Sequence, residues 1–499
     1  VPPVNLISVK FDPKPRHPIC HNRRFMPELA TMLEKIGLDR KLLRQALDLG
    51  LKSGGDFSEI FVERGIHSSI NLEEDIIKET SEAVITGLSV RVLSGGKTGF
   101  GFTNDLAPER ILKTSLTAAA ISAGRRQQHF RRFYGRKGLP GIYSDQHPVH
   151  SASLNRKIAL AREAYDSARN FDPAVVKVKV LLQDSFRELT IANSEGLFVS
   201  DSRPLVRLVC HVIAEKNGRR ESGFWGGGGR VGLEYFRSSL SPQRIGEQAV
   251  REALALLEAR DAPAGEMPIV LSAGHSGVLI HEAVGHLLEA DFIRKKTSIF
   301  WNKLGRKVGS ELVTIYDDPT IAGLRGSYAL DDEGTTPEKV MLIERGRVCG
   351  FLQDRLSAGL MKMPLNGHGR REDFSYPPIP RMANTYIDNG PDDPEEILRS
   401  VKKGFYVQSL QGGEVEDSGK FTFSVSLGYL IENGRRTAPV KQATLVGTST
   451  DILSKIEMVG NDLDFSLQTG TCGKEGQSVP VSDGCPTIKI TAMTVGGIK

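Results

Sequence analysis

Of all segments in this 499-residue chain, Gly277-Val-Leu-Ile-His281-Glu282-Ala-Val-Gly285-His286-Leu-Leu-Glu289-Ala-Asp291 constrains the fold most tightly. It is apolar and helix-like, yet its histidines stand at positions i and i+5. At about 100° per residue, helical positions i and i+4 lie about 40° apart around the axis, but i and i+5 lie about 140° apart. A regular helix therefore cannot aim both imidazoles at one ion. Glycine can leave helical dihedrals and let the chain kink or widen, so the spacing predicts a distortion at Gly285.

Neutral imidazole suits zinc, and a catalytic zinc site commonly has three protein ligands and one open position. His281 and His286 would need a third donor from elsewhere. Glu282, beside the first histidine, would stand where a general base takes the proton of a water attacking a peptide carbonyl. The plainer alternative is two hydrogen-bonded structural histidines in an apolar helix, since so short a motif also arises by chance. Downstream, Thr469-Gly-Thr-Cys472-Gly-Lys-Glu-Gly-Gln-Ser478 puts a cysteine in a glycine-rich turn before an apolar strand. Its thiolate would complete a His-His-Cys site. A small buried residue is the commoner fate of a cysteine, and spacing alone does not join it to the helix.

The length calls for two or three domains. Residues 1–25, rich in Pro, His and Arg, read as an N-terminal extension with little structure. Helical spacing from Met26 to about Leu51 leads into strand-like runs at Ser58–Glu63, Ser68–Leu72, Glu82–Leu93 and Gly99–Thr103, then a helix from about Ala107. Residues 26–123 thus read as a first α+β subdomain, and 124–150 as a basic linker or loop. Residues 151–260 read as a second α+β subdomain with a hairpin signal at Asn217-Gly218. Gly226 to Gly229 read as a flexible connector, and a P-loop is excluded because no GK[ST] follows. Residues 261–499 form the C-terminal domain, rich in antiparallel strands, with turns at Glu344-Arg345-Gly346 and Asn433-Gly434. The expected class is α+β, with helices on an antiparallel sheet in the N-terminal half.

An apolar fraction of 39% and a charged fraction of 25% match a soluble globular protein. A net charge of +5 does not by itself imply nucleic acid. Arg125, Arg126, Arg131, Arg132, Arg136 and Lys137, interleaved with Phe130, Phe133 and Tyr134, leave open a DNA-associated protein using the loop 124–141. The five cysteines are scattered and odd in number, as suits a reducing cytoplasm. No run of about 18 apolar residues occurs and no signal-peptide pattern opens the sequence, so neither membrane insertion nor export is expected.

The stretches SGVLIHEAVGHLLEADFIRK, ELVTIYDDPT, YALDDEGTTPEKVMLIERGRVCGFLQDRLSA, SGKFTFSVSLGYLIENGR and TCGKEGQSVPV, with GGGGR in the first half, resemble the TldD/PmbA family of metalloproteases. The resemblance is to the branch that carries HExxxH. It implies zinc ligation by His281, His286 and Cys472, with Glu282 as the catalytic glutamate. Cys485, in DGCPTIKI, departs from the pattern expected in similar proteins and rivals Cys472 as third ligand. The resemblance further implies peptide or unfolded-protein substrates, which would bind as an added β-strand. It implies a dimer, either of identical chains or with a PmbA/TldE-like subunit. A non-catalytic subunit of a protease complex is another reading, against which the intact His281, Glu282 and His286 argue. Glu289, Asp291 and Arg294 continue the motif, and a carboxylate there could orient a ligand imidazole. Arg370, Arg371 and Glu372, with Asp331-Asp332-Glu333, could shape the cleft or bind peptide termini.

Overall fold

The computed structural model describes residues 32–121, 130–135, 141–143, 148–465 and 470–497. The proposed extension at residues 1–25, and Arg125, Arg126, Arg136 and Lys137 of the basic loop, lie outside these.

The N-terminal half is built on one antiparallel sheet of six strands: β1 (Phe57–Glu73), β2 (Ile76–Ser94), β3 (Lys97–Thr103), β4 (Val175–Asn193), β5 (Phe198–Lys216) and β6 (Arg219–Gly229). Their order is β3-β2-β1-β4-β5-β6. Three strands thus come from each side of residues 124–150. Two short runs expected at Ser58–Glu63 and Ser68–Leu72 are one continuous strand, β1. The intervening polar residues pair across it, as in Arg64 Nη1 to Glu188 Oε2 at 2.9 Å.

Side chains alternate across a sheet, and here the alternation separates two kinds of core. Ile60, Val62, Leu88 and Val90 face the helices Arg40–Leu51 and Pro108–Ile121. Val180, Leu182, Leu208 and Val212 face the helices Leu154–Phe171 and Pro242–Leu257. The opposite face carries charge and is covered by the C-terminal domain. Arg91 meets Glu59 at 3.0 Å and Glu333 at 2.6 Å. Arg203 meets Asp332 at 2.7 Å, and Arg371 meets Glu59 at 2.7 Å. Asp332, Glu333 and Arg371 are therefore buried members of the seam between the halves, which corrects their reading as cleft or peptide-terminus residues. Arg370 also lies buried, its guanidinium donating to the Met382 and Pro480 carbonyls.

The Gly226 to Gly229 run is another correction. It is the end of β6 rather than a connector. A Cβ on Gly228 would strike the Val206 carbonyl of β5, and one on Gly226 the side chain of Val209. The glycines permit close strand approach.

In the C-terminal half, five strands close on themselves. Lys403–Val415 pairs with Gly265–Leu271, then Ile488–Gly496, Ala443–Thr448 and Lys420–Glu432 follow, and the last pairs back with Lys403–Val415. The ring is antiparallel except between Lys403–Val415 and Gly265–Leu271, which run parallel. Asn384–Ile387 and Ser482–Cys485, and Arg260–Asp261 with Arg435–Lys441, are further parallel pairs. The class is α+β, but the expectation of antiparallel strands holds only in part. Asn433-Gly434 and Arg345-Gly346 turn with positive φ at both residues, as tight hairpins of right-handed twist require. Leu279, Ile280, Ala283 and Val284 share one apolar core with Leu271, Val407 and Phe423 of the ring. The histidine-bearing segment is thereby fixed against the barrel. Among the described residues, no helix is long and apolar enough to cross a membrane.

Candidate metal centre

The segment begins as the helical turn Gly277–Ile280, widens to a π-turn over His281–Gly285, and tightens into a 3₁₀ turn at His286–Leu288. The N–H of His286 donates to the carbonyl of His281. This i to i+5 bond, the defining bond of a π-turn, brings the two histidines one turn apart on a common face. The expected distortion is present, but its physical cause differs. Gly285 keeps right-handed helical dihedrals, φ −58° and ψ −54°. Its lack of a side chain serves packing, since a Cβ there would collide with Met382 Sδ.

The imidazole centroids lie 5.1 Å apart, with rings nearly perpendicular at 88°. Cys472, on the strand Thr471–Lys474, reaches them from the hairpin it forms with Gln477–Pro480. Its Sγ lies 3.2 Å from His286 Nε2. One nitrogen from each histidine and the Cys472 sulfur all fall within 4.8 Å of one another. Cys485 is placed differently: its thiol donates to the Pro486 carbonyl at 3.0 Å, and burial pushes its pKa upward.

Each imidazole is backed by a carboxylate. Glu289 Oε2 is 2.9 Å from His286 Nδ1, which leaves Nε2 for the cysteine side. Asp483 Oδ1 approaches His281 Nδ1 to 2.7 Å, though not along the N–H direction of an aligned hydrogen bond. Such partners fix ring orientation in metal sites. Glu289 Oε1 also accepts from the Met382 N–H at 3.2 Å, and its Oε2 accepts from Lys474 Nζ at 2.9 Å. Lys474 further donates to Asp291 at 2.7 Å and to the Pro380 carbonyl at 3.1 Å. Arg381 holds the Cys472 carbonyl at 2.6 Å. Asp483, Lys474 and Arg381 were not legible as site residues, because each stands far from the histidines in sequence. Arg294, named with Glu289 and Asp291, has its Nε buried without a hydrogen-bond partner.

Without a cation the electrostatics favour a thiolate beside protonated imidazoles, and a bound metal would take the place of those protons. Burial alone would raise the Cys472 thiol, but His281 and His286 bring it well below the ordinary value. Burial opposes the charge on His286, yet Glu289 and Cys472 lift its pKa to about 10. His281 is likewise raised, by Asp483 and Cys472 against burial. Burial raises the Glu282 carboxyl above its usual range while both histidines pull it down. Glu282 Oε2 stands 3.8 Å from His286 Nε2, and its side chain retains 24% exposure. Glu282 is the most exposed side chain of the group, since His281, His286 and Cys472 are more deeply buried. Two imidazoles and a thiolate form a three-donor set of the kind that suits zinc.

Residues 58–122, 147–257 and 264–497 match, in order, domain 1, the central domain and the C-terminal domain of the PmbA/TldA metallopeptidases. A metalloprotease TldD homolog of Haemophilus influenzae is 40% identical over 94% of this chain and 98% of its own length. The chain belongs to the TldD/PmbA family of metalloproteases. A zinc metalloprotease TldD homolog of Saccharolobus solfataricus is 26% identical over 92% of this chain and 99% of its own. The crystal structure of TldE from Thermococcus kodakarensis has the same fold, with a TM-score of 0.72 at 21% identity over 91% of this chain and 100% of that one. The family is one of metalloproteases, and the buried His281, His286 and Cys472 group is where this chain could hold a metal.

Of the basic loop, residues 130–135 and Gly141 are described, and Arg131 and Arg132 are exposed there. Phe130 and Phe133 stack edge to face at 4.8 Å, and Phe133 packs on Phe198 at 5.2 Å. These rings turn into the N-terminal core rather than outward. Tyr134 is exposed.

Proposed function

We propose that this metalloprotease hydrolyses peptide bonds with a zinc ion held by His281, His286 and Cys472, and with Glu282 as general base. The observation that carries the reading is convergence: three donors from two remote segments lie within 4.8 Å of one another, and both imidazoles are backed by carboxylates. Zinc, when bound, polarises water and the scissile carbonyl. Glu282, 3.8 Å from His286 Nε2 and the most exposed side chain of the group, has a carboxylate that can accept a proton from an attacking water and return it to the leaving amine. Glu289 and Asp483 hold the imidazoles in place. The name zinc metalloprotease borne by the Saccharolobus solfataricus relative supports the choice of metal.

Unfolded or small peptides are the substrates we infer, bound as an added strand whose affinity comes from main-chain hydrogen bonds. A dimer is proposed, of two such chains or of this chain with a TldE-like subunit; the shared fold of TldE favours such a pairing. The four described cysteines are all free, which accords with a cytoplasmic setting.

The test compares full-length wild-type chain with Glu282→Gln. Wild type is expected to carry about one zinc per chain and to cleave an unstructured peptide. Glu282→Gln is expected to keep the zinc and lose cleavage. Retained cleavage in that variant would exclude the assigned base.

A further inference from the structure

Cys472 stands on a hairpin in which Thr471–Lys474 pairs with Gln477–Pro480 through the turn Glu475-Gly476, whose two residues both have positive φ. Across a two-residue turn of this kind the flanking pair, Lys474 and Gln477, exchanges hydrogen bonds, and bonded and non-bonded pairs alternate thereafter. The main-chain groups of the pairs Gly473–Ser478 and Thr471–Pro480 therefore point out of the ladder, away from each other. Two bonds agree with that register. The Ser478 N–H donates outward to Glu372 Oε2 at 2.6 Å, and the next bonded pair brings the Val481 N–H to the Gly470 carbonyl at 3.2 Å.

The two outer edges of the hairpin differ. Along Gln477–Pro480, Glu372 takes the Ser478 N–H and Arg370 donates to the Pro480 carbonyl at 2.8 Å. Along Thr471–Lys474, the outward N–H and carbonyl of Gly473 meet no partner among the described residues, and both Thr471 and Gly473 are exposed. Nothing internal calls for glycine at this position. Its backbone is not left-handed, and a Cβ built on it would meet nothing within 4 Å. Gly226 and Gly228, by contrast, are required by a neighbouring strand. Glycine weakens a strand interior, and where neither strain nor packing demands it, it marks the close approach of a ligand or another backbone.

Side chains alternate along the strand. Cys472 and Lys474 turn inward, to His286 and Glu289, and Gly473 presents its bare face on the other side. We propose, on the peptidase reading above, that the substrate backbone pairs with the outer edge of Thr471–Lys474, and that one peptide residue exchanges hydrogen bonds with the N–H and carbonyl of Gly473. The missing side chain leaves room for a large, preferably aromatic, side chain on that residue, as bulky cross-strand neighbours cover edge glycines in sheets. The peptide residues on either side of it then face the side of Cys472 and the histidines. Gly473 is thus a positioning and specificity residue, one step along the strand from a metal donor.

The test uses the full-length Glu282→Gln chain, which should bind peptide without turnover, and fluorescein-labelled heptapeptides of Ala and Ser. One series carries a single Phe at each position, and a second adds an N-methyl group to one amide at a time. One Phe position should bind about fivefold more tightly than the peptide without Phe, the effect of about 1 kcal/mol. N-methylation of that same residue should weaken binding about tenfold, because its N–H pairs with the Gly473 carbonyl. Adding Gly473→Val should bring Phe and Ala peptides to equal affinity, with zinc content and melting temperature matching the parent's, since the new side chain enters open space. If that variant does lose zinc or melt lower, the N-methyl series on the unaltered parent decides alone. No preferred Phe position, a preference that survives Gly473→Val, or N-methylation without effect at the preferred residue would overturn the subsite. Cleavage of the same peptides by the wild-type chain would then leave the peptidase reading intact. Peptides that neither bind the parent nor are cleaved by wild type would overturn both.

Discussion

The His286 N–H donates to the His281 carbonyl, and this one backbone bond turns an unfavourable sequence spacing into a shared face. The bond exists because the helix is one residue wider there than an α-turn, and Gly285 lets Met382 close over the widened turn. Gly285→Ala should therefore be destabilising by about 1–3 kcal/mol, the usual cost of overpacking a core. Thermal melting would show it. The companion change Met382→Ala should recover part of the loss, because the pair shares one volume. Additive effects of the two changes would refute the packing role.

The third donor separates two cysteines that the sequence left in competition. Cys472→Ser should lower zinc content well below one per chain, because a hydroxyl is a far poorer zinc ligand than the thiolate that His281 and His286 stabilise. Cys485→Ser, at a thiol that meets only the Pro486 carbonyl, should leave zinc content unchanged. Metal analysis of the two purified variants decides between them, and the reverse result would move the site.

Much of this was legible in the chain, for identifiable reasons. The i, i+5 spacing forced a distorted helix because helical geometry is rigid. Its cause was not legible, since Met382 meets Gly285 only through the tertiary fold. Strand alternation pointed to sheets, yet the polar middle of β1 hid a continuous strand because Arg64 is matched by Glu188 on β4. The acidic run Asp331-Asp332-Glu333 read as loop charge; its arginine partners Arg91 and Arg203 lie more than a hundred residues away. Long-range ion pairs leave no local periodicity, so a single sequence does not disclose them.

Lys474 ties the cysteine hairpin to the histidine segment through Glu289 and Asp291, at 2.9 and 2.7 Å. All three side chains are buried. Lys474→Met would leave two carboxylates without their cation, and breaking a buried pair in this way costs about 3–5 kcal/mol. Zinc content should fall together with stability, because Glu289 would no longer be held against His286. Lys474→Arg should retain more of both. Unchanged melting and zinc content in Lys474→Met would show that the bridge does not support the site.

Asp464 offers a test by pH away from the donor group. Burial is the leading cause that lifts its carboxyl to about 6, helped by Asp462 and opposed by the Phe465 N–H and Arg244. The folded chain thus holds this proton more tightly than the unfolded chain, whose carboxyl ionises near 3.8. Its contribution is most favourable below pH 4, and it declines as pH rises through about 6. Asp464→Asn removes the ionisable group and keeps an oxygen for the Phe465 N–H at 2.9 Å. The variant should melt at the same temperature as wild type near pH 4 and higher near pH 8. The gain, allowing for partial solvent screening, is on the order of 1 kcal/mol. A difference in melting temperature that does not change between those pH values would show that Asp464 ionises normally in the folded chain.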